Sequence, residues 1–341
     1  MIEPARDKKK PAYDVVGIGN AIVDVLAHVD DGFLKRHALA KGTMALVDAD
    51  QARGIYAAMP PGTEASGGSV ANSMAGIASL GGKGAYIGKV RNDQLGEVFA
   101  HDLRALGVEF RTAPATDGPA TARCFVFVTP DAQRTMNTYL GACIHLGPED
   151  VDGAIVAAGK ITYLEGYLWD SPRAIAAMRK AIAIAHEAGR KVAFSLSDPF
   201  CVDRHRDEFR ALVEDEVDIL FANEVEICSL YQANHFDQAL QSVHARGDLI
   251  AALTRSAKGA VVAVGTEVHV IDAVPVARVI DTTGAGDLFA AGFLFGYTRG
   301  LDLGICGRLG AIAAGEVIGH FGARPETSLA ALVREHLPEL V

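Results

Sequence analysis

The stretch Asp281-Thr-Thr-Gly-Ala-Gly-Asp287, followed directly by Leu288-Phe-Ala-Ala-Gly-Phe293, decides the fold of this chain. It places two glycines and a carboxylate at the start of a helix. That helix is apolar or small on nearly every side, which predicts that it is buried. A strand-like run from Val276 to Ile280 precedes the motif. We therefore expect a strand, a glycine turn and a buried helix in this order.

The chemistry of a helix start makes this motif a candidate site. Unpaired N–H groups and a partial positive charge lie there, and glycines let an anion approach the backbone. An acid beside such a turn can take a proton from a hydroxyl group while a phosphoryl group arrives. The alternative is a tight glycine turn into a core helix. A buried carboxylate is costly without a partner or a role, so the motif favours phosphoryl transfer to an alcohol.

Strands and helices alternate regularly in the second half of the chain. Lys160 to Leu164, Lys191 to Leu196 and Val217 to Ala222 are continuous apolar runs, and helical patterns lie between and after them. Such runs are typical of strands that are covered on both faces. The sequence therefore predicts an α/β fold, a doubly wound and mainly parallel sheet with helices on both faces. The first strand is expected at Tyr13 to Ile18.

Two other regions have a different character. Residues near 25–48 and 108–140 contain short strand-like runs and turns, which predict a small separate β-sheet that serves as a lid. Residues 1–12 are charged and lack an apolar segment, so we expect a disordered tail and no signal peptide. Residues 13–341 are expected to form the main α/β domain together with this lid.

The overall composition narrows the class of protein. A formal charge of −10 argues against a nucleic-acid partner, which would need a basic face. No apolar run approaches the ~20 residues that span a bilayer, so we expect no membrane partner. The 5 cysteines are scattered and form no C-x-x-C pair, which indicates reduced core thiols in a cytoplasmic protein. Zinc-ligand clusters, the P-loop pattern and the G-x-S-x-G pattern are all missing from the sequence.

The first strand is followed by Gly17-Ile-Gly19-Asn20-Ala-Ile22, which begins like a dinucleotide-binding fingerprint. Ile22 replaces the third glycine of that fingerprint, and no acid follows about 20 residues on, which argues against a dehydrogenase. Asn20 and Asp24 instead leave the strand four residues apart. A carboxylate and an amide placed there can bind a vicinal diol, although a turn asparagine and a surface aspartate are the alternative.

Three further segments are candidate binding elements, each with a structural alternative. Ser66 to Asn72 contains paired glycines before a helix, which can admit a ligand oxygen or simply start the helix. Asn223 to Glu226 follows a predicted strand, where a carboxylate can hold hydrated Mg²⁺ or merely complement the helix dipole. Thr254 to Gly259 forms a turn that could cross a nucleotide.

Taken together and in this order, these motifs resemble the PfkB, or ribokinase-like, family of small-molecule kinases. The resemblance extends from about Tyr13 to Pro325. Asp281 to Asp287 is highly specific to the family, Gly67 to Asn72 matches its N-terminal signature, and Asn223 to Glu226 matches its N-x-x-E motif. The resemblance implies an α/β domain with a β-sheet lid, and transfer of the γ-phosphate of ATP to a hydroxymethyl group.

The resemblance also implies roles for single residues. Asp287 would be the base, and the N–H groups of Gly284, Ala285 and Gly286 would form the anion hole. We further expect Arg134, in the lid hairpin, to neutralise phosphate charge, the alternative being a surface arginine in a turn. The other expected roles are acceptor binding by Asn20, Asp24, Gly67, Gly68 and Asn72; nucleotide binding by Asn223, Thr254, Ser256, Gly259 and Gly286; and organisation of Mg²⁺ by Asn223 and Glu226.

Many members of the family also bind a monovalent cation such as K⁺ beside the anion hole. The residues that match its ligands are Asp281, Thr283 and carbonyl groups of the segment that contains Val317, His320 and Gly322. This chain departs from the family at two positions. Glu326 stands where relatives often have a small hydroxyl residue, and Ser256 replaces a glycine that is common in the nucleotide turn.

The spacing of Asn20 and Asp24 bears on the acceptor. Ribokinases typically place these groups two residues apart, whereas adenosine kinases use the four-residue spacing found here. The segments Arg134 to Cys143 and Thr254 to Gly259 also resemble those of bacterial proteins grouped with adenosine kinases. We therefore predict a purine nucleoside acceptor, phosphorylated on its 5′-hydroxyl group. The alternatives are a kinase for fructose, ribose or a keto-deoxy sugar acid, and a non-catalytic nucleoside sensor. Relatives are monomers or lid-paired dimers.

Overall fold

The computed structural model describes residues 10–131 and 133–340, so Met1 to Lys9 of the expected N-terminal tail lie outside the described residues. Its strands are β1 Tyr13–Ile18, β2 Ile22–His28, β3 Met44–Leu46, β4 Thr63–Gly67, β5 Gly84–Ile87, β6 Glu109–Phe110, β7 Ala122–Val128, β8 Arg134–Tyr139, β9 Gly159–Glu165, β10 Lys191–Ser195, β11 Ile219–Asn223, β12 Ile250–Thr254, β13 Ala260–Val264 and β14 Glu267–Ile271. Its helices are α1 Asp31–Arg36, α2 Ala49–Ala58, α3 Ser69–Ser79, α4 Gln94–Ala105, α5 Gly153–Ala157, α6 Pro172–Glu187, α7 Pro199–Asp215, α8 Glu224–Tyr231, α9 Phe236–His244, α10 Ala285–Tyr297, α11 Leu303–Val317 and α12 Leu329–His336.

A nine-stranded sheet organises the molecule, in the order β14-β13-β12-β11-β10-β9-β1-β5-β6. Its strands are parallel from β12 to β6, and only the pairings of β13 are antiparallel. The chain winds outwards from β1 in both directions, so the strand order reverses beside β1. In open α/β sheets, ligands bind beyond the carboxyl ends of the strands at this point. The topology therefore predicts a ligand site near the residues that follow β1, β5 and β9.

Both faces of the large sheet are covered by helices, as the continuous apolar strands predicted. On β1, Val15 belongs to a buried cluster with Met74 of α3 and Leu288 of α10. The next residue, Val16, belongs to a second cluster on the opposite face with Met178 of α6. Alternation of side chains along each strand thus feeds two hydrophobic cores. The predicted doubly wound fold is confirmed.

A second, five-stranded sheet has the order β3-β8-β7-β2-β4. One of its faces packs on α1 and α2, and its other face carries Cys124, Val126 and Leu26, against which Phe321 of the main domain packs. The extent of this sheet differs from the expected 25–48 and 108–140. It also includes β4, whose polar sequence gave no strand signal, whereas β6 pairs with β5 at the edge of the large sheet.

The expected strand at Val276 to Ile280 is wrong, because this segment is irregular. The N–H of Ile280 donates to the carbonyl of Ile318 rather than to a sheet partner, and Val279 is 47% exposed. Its apolar side chains line a cavity instead of a sheet core, which explains the misleading pattern. The last strand of the sheet is β14, which the sequence interpretation did not identify.

Two other general predictions can be compared with the structure. None of the described helices is both long and apolar enough to cross a bilayer. All 5 cysteines are free thiols, and four of them are buried, in agreement with the prediction of reduced core thiols.

Candidate active site

The glycine motif lies where α10 begins. Gly284 caps the helix with a φ of 78°, a left-handed conformation that a side chain would strain. A Cβ at Gly284 would also lie 2.7 Å from the carbonyl oxygen of Ala323, so only glycine fits against that neighbouring segment. The helix interior from Leu288 onward is buried, whereas Asp287 in its first turn lines a cavity. The motif therefore presents one carboxylate in the first turn of a buried helix, as predicted.

The carboxylate of Asp287 is held by α3. The hydroxyl of Ser69 donates to Oδ1 at 2.7 Å, and Nδ2 of Asn72 donates to Oδ2 at 3.0 Å. The hydroxyl of Ser73 donates to the main-chain oxygen of Asp287 at 2.9 Å. Burial raises the pKa of Asp287, and the two side-chain hydrogen bonds and the charge of Arg134 oppose that rise. A carboxylate fixed in this way is suited to accept a proton.

The residues predicted to hold the acceptor converge between β1, β2 and α3. Gly68 has a φ of 90°, and a Cβ there would lie 2.3 Å from the main-chain oxygen of Asn20. A Cβ at Gly67 would lie 2.2 Å from Oδ2 of Asp24. Burial raises the pKa of Asp24 to about 7; the charge of Arg324 opposes this rise. The glycines are therefore needed because Asp24 and Asn20 approach the backbone so closely.

A residue that the sequence interpretation missed connects these segments. Glu165 ends β9 and is only 1% exposed. Its two carboxylate oxygens accept hydrogen bonds from the backbone N–H groups of Asn20, at 2.8 Å, and Val70, at 3.0 Å. Burial raises its pKa to about 7. The signal was an acidic residue at the carboxyl end of a strand otherwise covered on both faces.

A cavity of about 730 Å³ extends from Asp287 along the large sheet. The predicted site residues in its lining are Asn223, Glu226, Thr254, Ser256, Gly259, Ala285, Gly286 and Asp287. Apolar residues that were not predicted form much of its remaining wall; they include Phe289, Val274, Pro275, Val276, Val279, Ala311, Ala314, Gly315 and Ile318. A polar end beside Asp287 and an apolar remainder suit a ligand with phosphates at one end and a flat base at the other.

The turn after β12 has a backbone conformation that explains why glycine is common in relatives at the position of Ser256. Ser256 has a φ of 52°, which favours the glycine that is common at this position in relatives. Gly259 has a φ of 79°, and a Cβ there would lie 1.9 Å from the carbonyl oxygen of Ile271. The turn therefore runs close to β14 on one side and lines the cavity on the other.

Asn223 and Glu226 form a reciprocal cap at the start of α8. The side-chain oxygen of Asn223 accepts from the N–H of Glu226, and Glu226 accepts from the backbone and side chain of Asn223 at 2.8 and 2.6 Å. Burial, together with the charges of Asp198 and Asp287, raises the pKa of Glu226 to about 7, and the hydrogen bond from the backbone of Asn223 opposes this rise. Asn223 and Glu226 therefore cap α8, and the carboxyl group of Glu226 also lines the cavity.

The residues expected around a monovalent cation meet only in part. Asp281 is buried, and its carboxylate accepts from the N–H of Thr283 at 2.9 Å and from that of Gly322 at 3.1 Å. Arg134 of the small sheet donates to the hydroxyl of Thr283 at 2.6 Å. Val317 is buried at the end of α11, and the side chain of His320 contacts Glu316 at 3.2 Å. The ligands expected from this segment are its carbonyl groups rather than these side chains.

Comparison with known proteins identifies the family. The model of the pfkB family of carbohydrate kinases matches residues 46–329. The chain belongs to the pfkB family. It is therefore a phosphotransferase that acts on an alcohol group, and kinases of this family use ATP.

The proteins similar to this pfkB kinase include adenosine kinases and a sugar kinase. An adenosine kinase from Sinorhizobium meliloti is 54% identical, with a TM-score of 0.91 over 95% of this chain and 99% of that one. A probable sugar kinase from Rhizobium etli is 51% identical, with a TM-score of 0.92 over 96% and 99%. The adenosine kinase of Saccharomyces cerevisiae is 28% identical over 85% of this chain and 90% of that protein.

Proposed function

We propose that this pfkB kinase transfers the γ-phosphoryl group of ATP to the 5′-hydroxyl group of a purine nucleoside, with adenosine as the first candidate. The observation that carries the proposal is the position of Asp287. Its carboxylate lines the cavity and accepts hydrogen bonds from Ser69 and Asn72. Both residues belong to the Ser66 to Asn72 segment, which is expected to bind the phosphoryl acceptor. A donor bound in the cavity and an acceptor bound beside α3 would therefore meet at this carboxylate.

The acceptor would be held by polar groups next to Asp287. Asp24 would accept hydrogen bonds from the two hydroxyls of a ribose, and Asn20 and Asn72 would add amide groups. Oδ1 of Asn72 is buried without a hydrogen-bond partner among the described residues, so it has a free acceptor site for a ligand hydroxyl. The high identity to an adenosine kinase over almost the whole chain supports a nucleoside in this position.

In the proposed reaction, the protein removes one proton and stabilises the charge on the transferred phosphoryl group. Asp287 takes the proton of the acceptor hydroxyl, whose oxygen then bonds to the γ-phosphorus as the bond to the β-phosphate oxygen breaks. The N–H groups of Gly284, Ala285 and Gly286 stabilise the charge on the transferred oxygens. Arg134 adds a cation from the small sheet. We also propose that this sheet acts as a lid that excludes water from the reacting groups.

Cations complete the proposed site. Asn223 and Glu226 would organise hydrated Mg²⁺, because both line the cavity beside Asp287. When bound, Mg²⁺ would neutralise phosphate charge. Asp281 and Thr283, with carbonyl groups of 317–322, remain our candidates for K⁺. A cytoplasmic location and a monomer or homodimer also belong to this proposal.

A panel of nucleosides and sugars tests the function. Purified protein with MgATP should phosphorylate adenosine and should leave fructose, ribose and keto-deoxy sugar acids unmodified. Phosphorylation of a sugar or sugar acid but not of adenosine would contradict the nucleoside assignment. It would favour the alternative acceptor class, which the name of the Rhizobium relative supports.

Replacement of the proposed base provides the matching test of mechanism. Asp287→Asn should lower turnover by about 10²–10⁴-fold, because the amide cannot accept the hydroxyl proton, while nucleoside binding measured by calorimetry stays near that of the wild type. Asp237→Asn is the matched control, since Asp237 is an exposed acid in the first turn of α9. Full activity of Asp287→Asn would refute the assignment of the base.

A further inference from the structure

The segment that contains Phe321 is attached to the glycine motif on both sides of this residue. Before it, the carbonyl oxygen of Ile318 accepts a hydrogen bond from the N–H of Ile280 at 2.9 Å. After it, the N–H of Gly322 donates to the carboxylate of Asp281 at 3.1 Å. The backbone of Phe321 is therefore held by the main domain, next to the residues that lead into α10.

The ring of Phe321 packs on the small sheet rather than on the main core. It lies against the cluster that contains Leu26, Cys124 and Val126, each no more than 5% exposed. It also stacks on the ring of His28, with a centroid distance of 4.8 Å and an interplanar angle of 23°. Separation of the two sheets would return this apolar surface to water, which costs free energy. The contact therefore favours the docked position of the small sheet.

The face that Phe321 covers is the face that carries Asp24. Asp24 and Leu26 are two residues apart on β2, and side chains at this spacing point to the same side of a strand. Asp24 also pairs with Cys124 in the register of β2 and β7. Phe321 therefore contacts the part of the small sheet that presents the carboxylate proposed to bind the ribose.

The same region of the main domain receives a second contact from the small sheet. Arg134 donates to the hydroxyl of Thr283 at 2.6 Å. The carbonyl oxygen of Ala323 lies so close to Gly284 that a Cβ there would be 2.7 Å away. The glycine motif and the segment of Phe321 thus form one surface, which the small sheet meets through a polar and an apolar contact. An apolar contact forms as water leaves, so it suits a surface that must exclude water.

We infer that Phe321 is a positioning residue of the phosphoryl-transfer reaction. Its ring docks the small sheet on the main domain, so that Asp24 holds the acceptor with its hydroxyl at Asp287 and water is kept from the γ-phosphoryl group. Phe321 acts through Asp24 and through the sheet, not by contact with the reacting atoms. This inference rests on the proposed acceptor site and on the proposed role of the small sheet as a lid.

Replacement of Phe321 tests this role in the full-length protein. Phe321→Ala should raise KM for the acceptor about 10-fold and lower kcat about 10-fold, because the acceptor is aligned in fewer molecules. Water should receive the γ-phosphoryl group more often, so the ratio of free phosphate to phosphorylated acceptor should rise at least about 3-fold. Calorimetric binding of ATP should stay near that of the wild type, because the cavity proposed for the nucleotide lies along the large sheet.

Two further variants separate positioning from a general loss of stability. Phe295→Ala truncates a half-buried phenylalanine of α10 that packs on the main core. It should lower the stability to urea and leave both the acceptor KM and the phosphate ratio unchanged. His28→Ala removes the stacked ring from the small sheet at an exposed position. It should raise the acceptor KM about 2–5-fold in the wild type and have no further effect in Phe321→Ala, since both substitutions remove one contact.

The outcomes distinguish this inference from the function on which it rests. An unchanged acceptor KM and an unchanged phosphate ratio in Phe321→Ala would overturn the role of Phe321 alone. A wild type that phosphorylates only sugars would overturn the nucleoside assignment, and the same measurements would then be made with the sugar. If Phe321→Ala fails to bind ATP, His28→Ala decides the question. A raised KM and a raised phosphate ratio in that variant support the inference, and wild-type values refute it.

Discussion

Arg134 of β8 connects the small sheet to the glycine motif. Its guanidinium donates to the hydroxyl of Thr283 at 2.6 Å and lies 3.7 Å from the carboxylate of Asp281. The side chain is 29% exposed, so it is not a core residue. A cation at this point can move with the small sheet and still approach a phosphate bound at the start of α10. Its contribution should therefore fall on catalysis more than on folding.

Arg134→Ala should lower kcat about 100-fold, because a positioned charge is lost from the phosphate side. The free energy of unfolding should change by less than about 1 kcal/mol, since Asp281 keeps its hydrogen bonds from Thr283 and Gly322. Steady-state kinetics and urea unfolding measure the two effects separately. Arg53→Ala, at an exposed arginine of α2, is the control. Normal turnover of Arg134→Ala would remove this role.

At the scale of single residues, the sequence predicted the polar groups of the site better than their partners. Asp287, Asn72 and Asp24 stand in motifs with short-range glycine signatures, and the structure hydrogen-bonds Asn72 to Asp287, which lines the cavity. Glu165 was missed because its function depends on backbone N–H groups 145 and 95 residues away. Such long-range relations become visible only when the chain is folded.

The helices α10 and α11 cross unusually closely, and glycines make the crossing possible. A Cβ at Gly292 would lie 2.4 Å from the carbonyl oxygen of Leu309, and one at Gly310 would lie 2.7 Å from that of Phe289. The obstructing atoms belong to backbone and cannot rotate away. Because α10 carries Asp287 and α11 lines the cavity, this contact also fixes the width of the proposed nucleotide site.

Gly292→Ala should lower the free energy of unfolding by about 2–3 kcal/mol, because one methyl group must separate two packed helices. Gly54→Ala is the matched control, since Gly54 lies on the exposed side of α2 with no atom within 4 Å of an added Cβ. That substitution should raise helix propensity and stabilise the protein by about 0.5–1 kcal/mol. Urea unfolding of both variants measures the difference. Equal effects of the two substitutions would contradict the close-crossing argument.

At the scale of elements, apolar periodicity predicted the central strands because they are buried on both faces. The same signal failed at Val276 to Ile280, where apolar residues line a cavity rather than a sheet. It also failed for β4, whose sequence Thr63-Glu-Ala-Ser-Gly67 contains one apolar residue. β4 forms because it pairs with β2, and its two exposed residues give it no hydrophobic pattern. Edge strands and ligand-binding walls are thus the elements that a single sequence describes least well.

For the whole molecule, the notable property is a set of buried carboxyl groups around one site. Burial raises the pKa of Asp24, Glu165 and Glu226 to about 7 in each case. In the unfolded chain these groups release their protons near pH ~4. The folded protein therefore binds more protons than the unfolded chain between pH ~4 and ~7. The resulting stabilisation is complete below pH ~4 and is lost as the pH rises through about 7.

The apoprotein should accordingly have a higher free energy of unfolding at pH 5 than at pH 7.5, and Glu165 should contribute to this difference by on the order of 2 kcal/mol. Glu165→Gln cannot titrate, so its stability should fall less between the two pH values, even though it begins lower through the loss of a hydrogen-bond acceptor. Urea unfolding at both pH values gives the change for each protein, and Glu187→Gln, at an exposed residue of α6, is the control. The same pH dependence in the wild type and Glu165→Gln would show that the carboxyl group of Glu165 is ionised in the folded protein at pH 5. It would then be a buried anion held by two backbone N–H groups, and the acceptor side of the site would carry one more negative charge at pH 5.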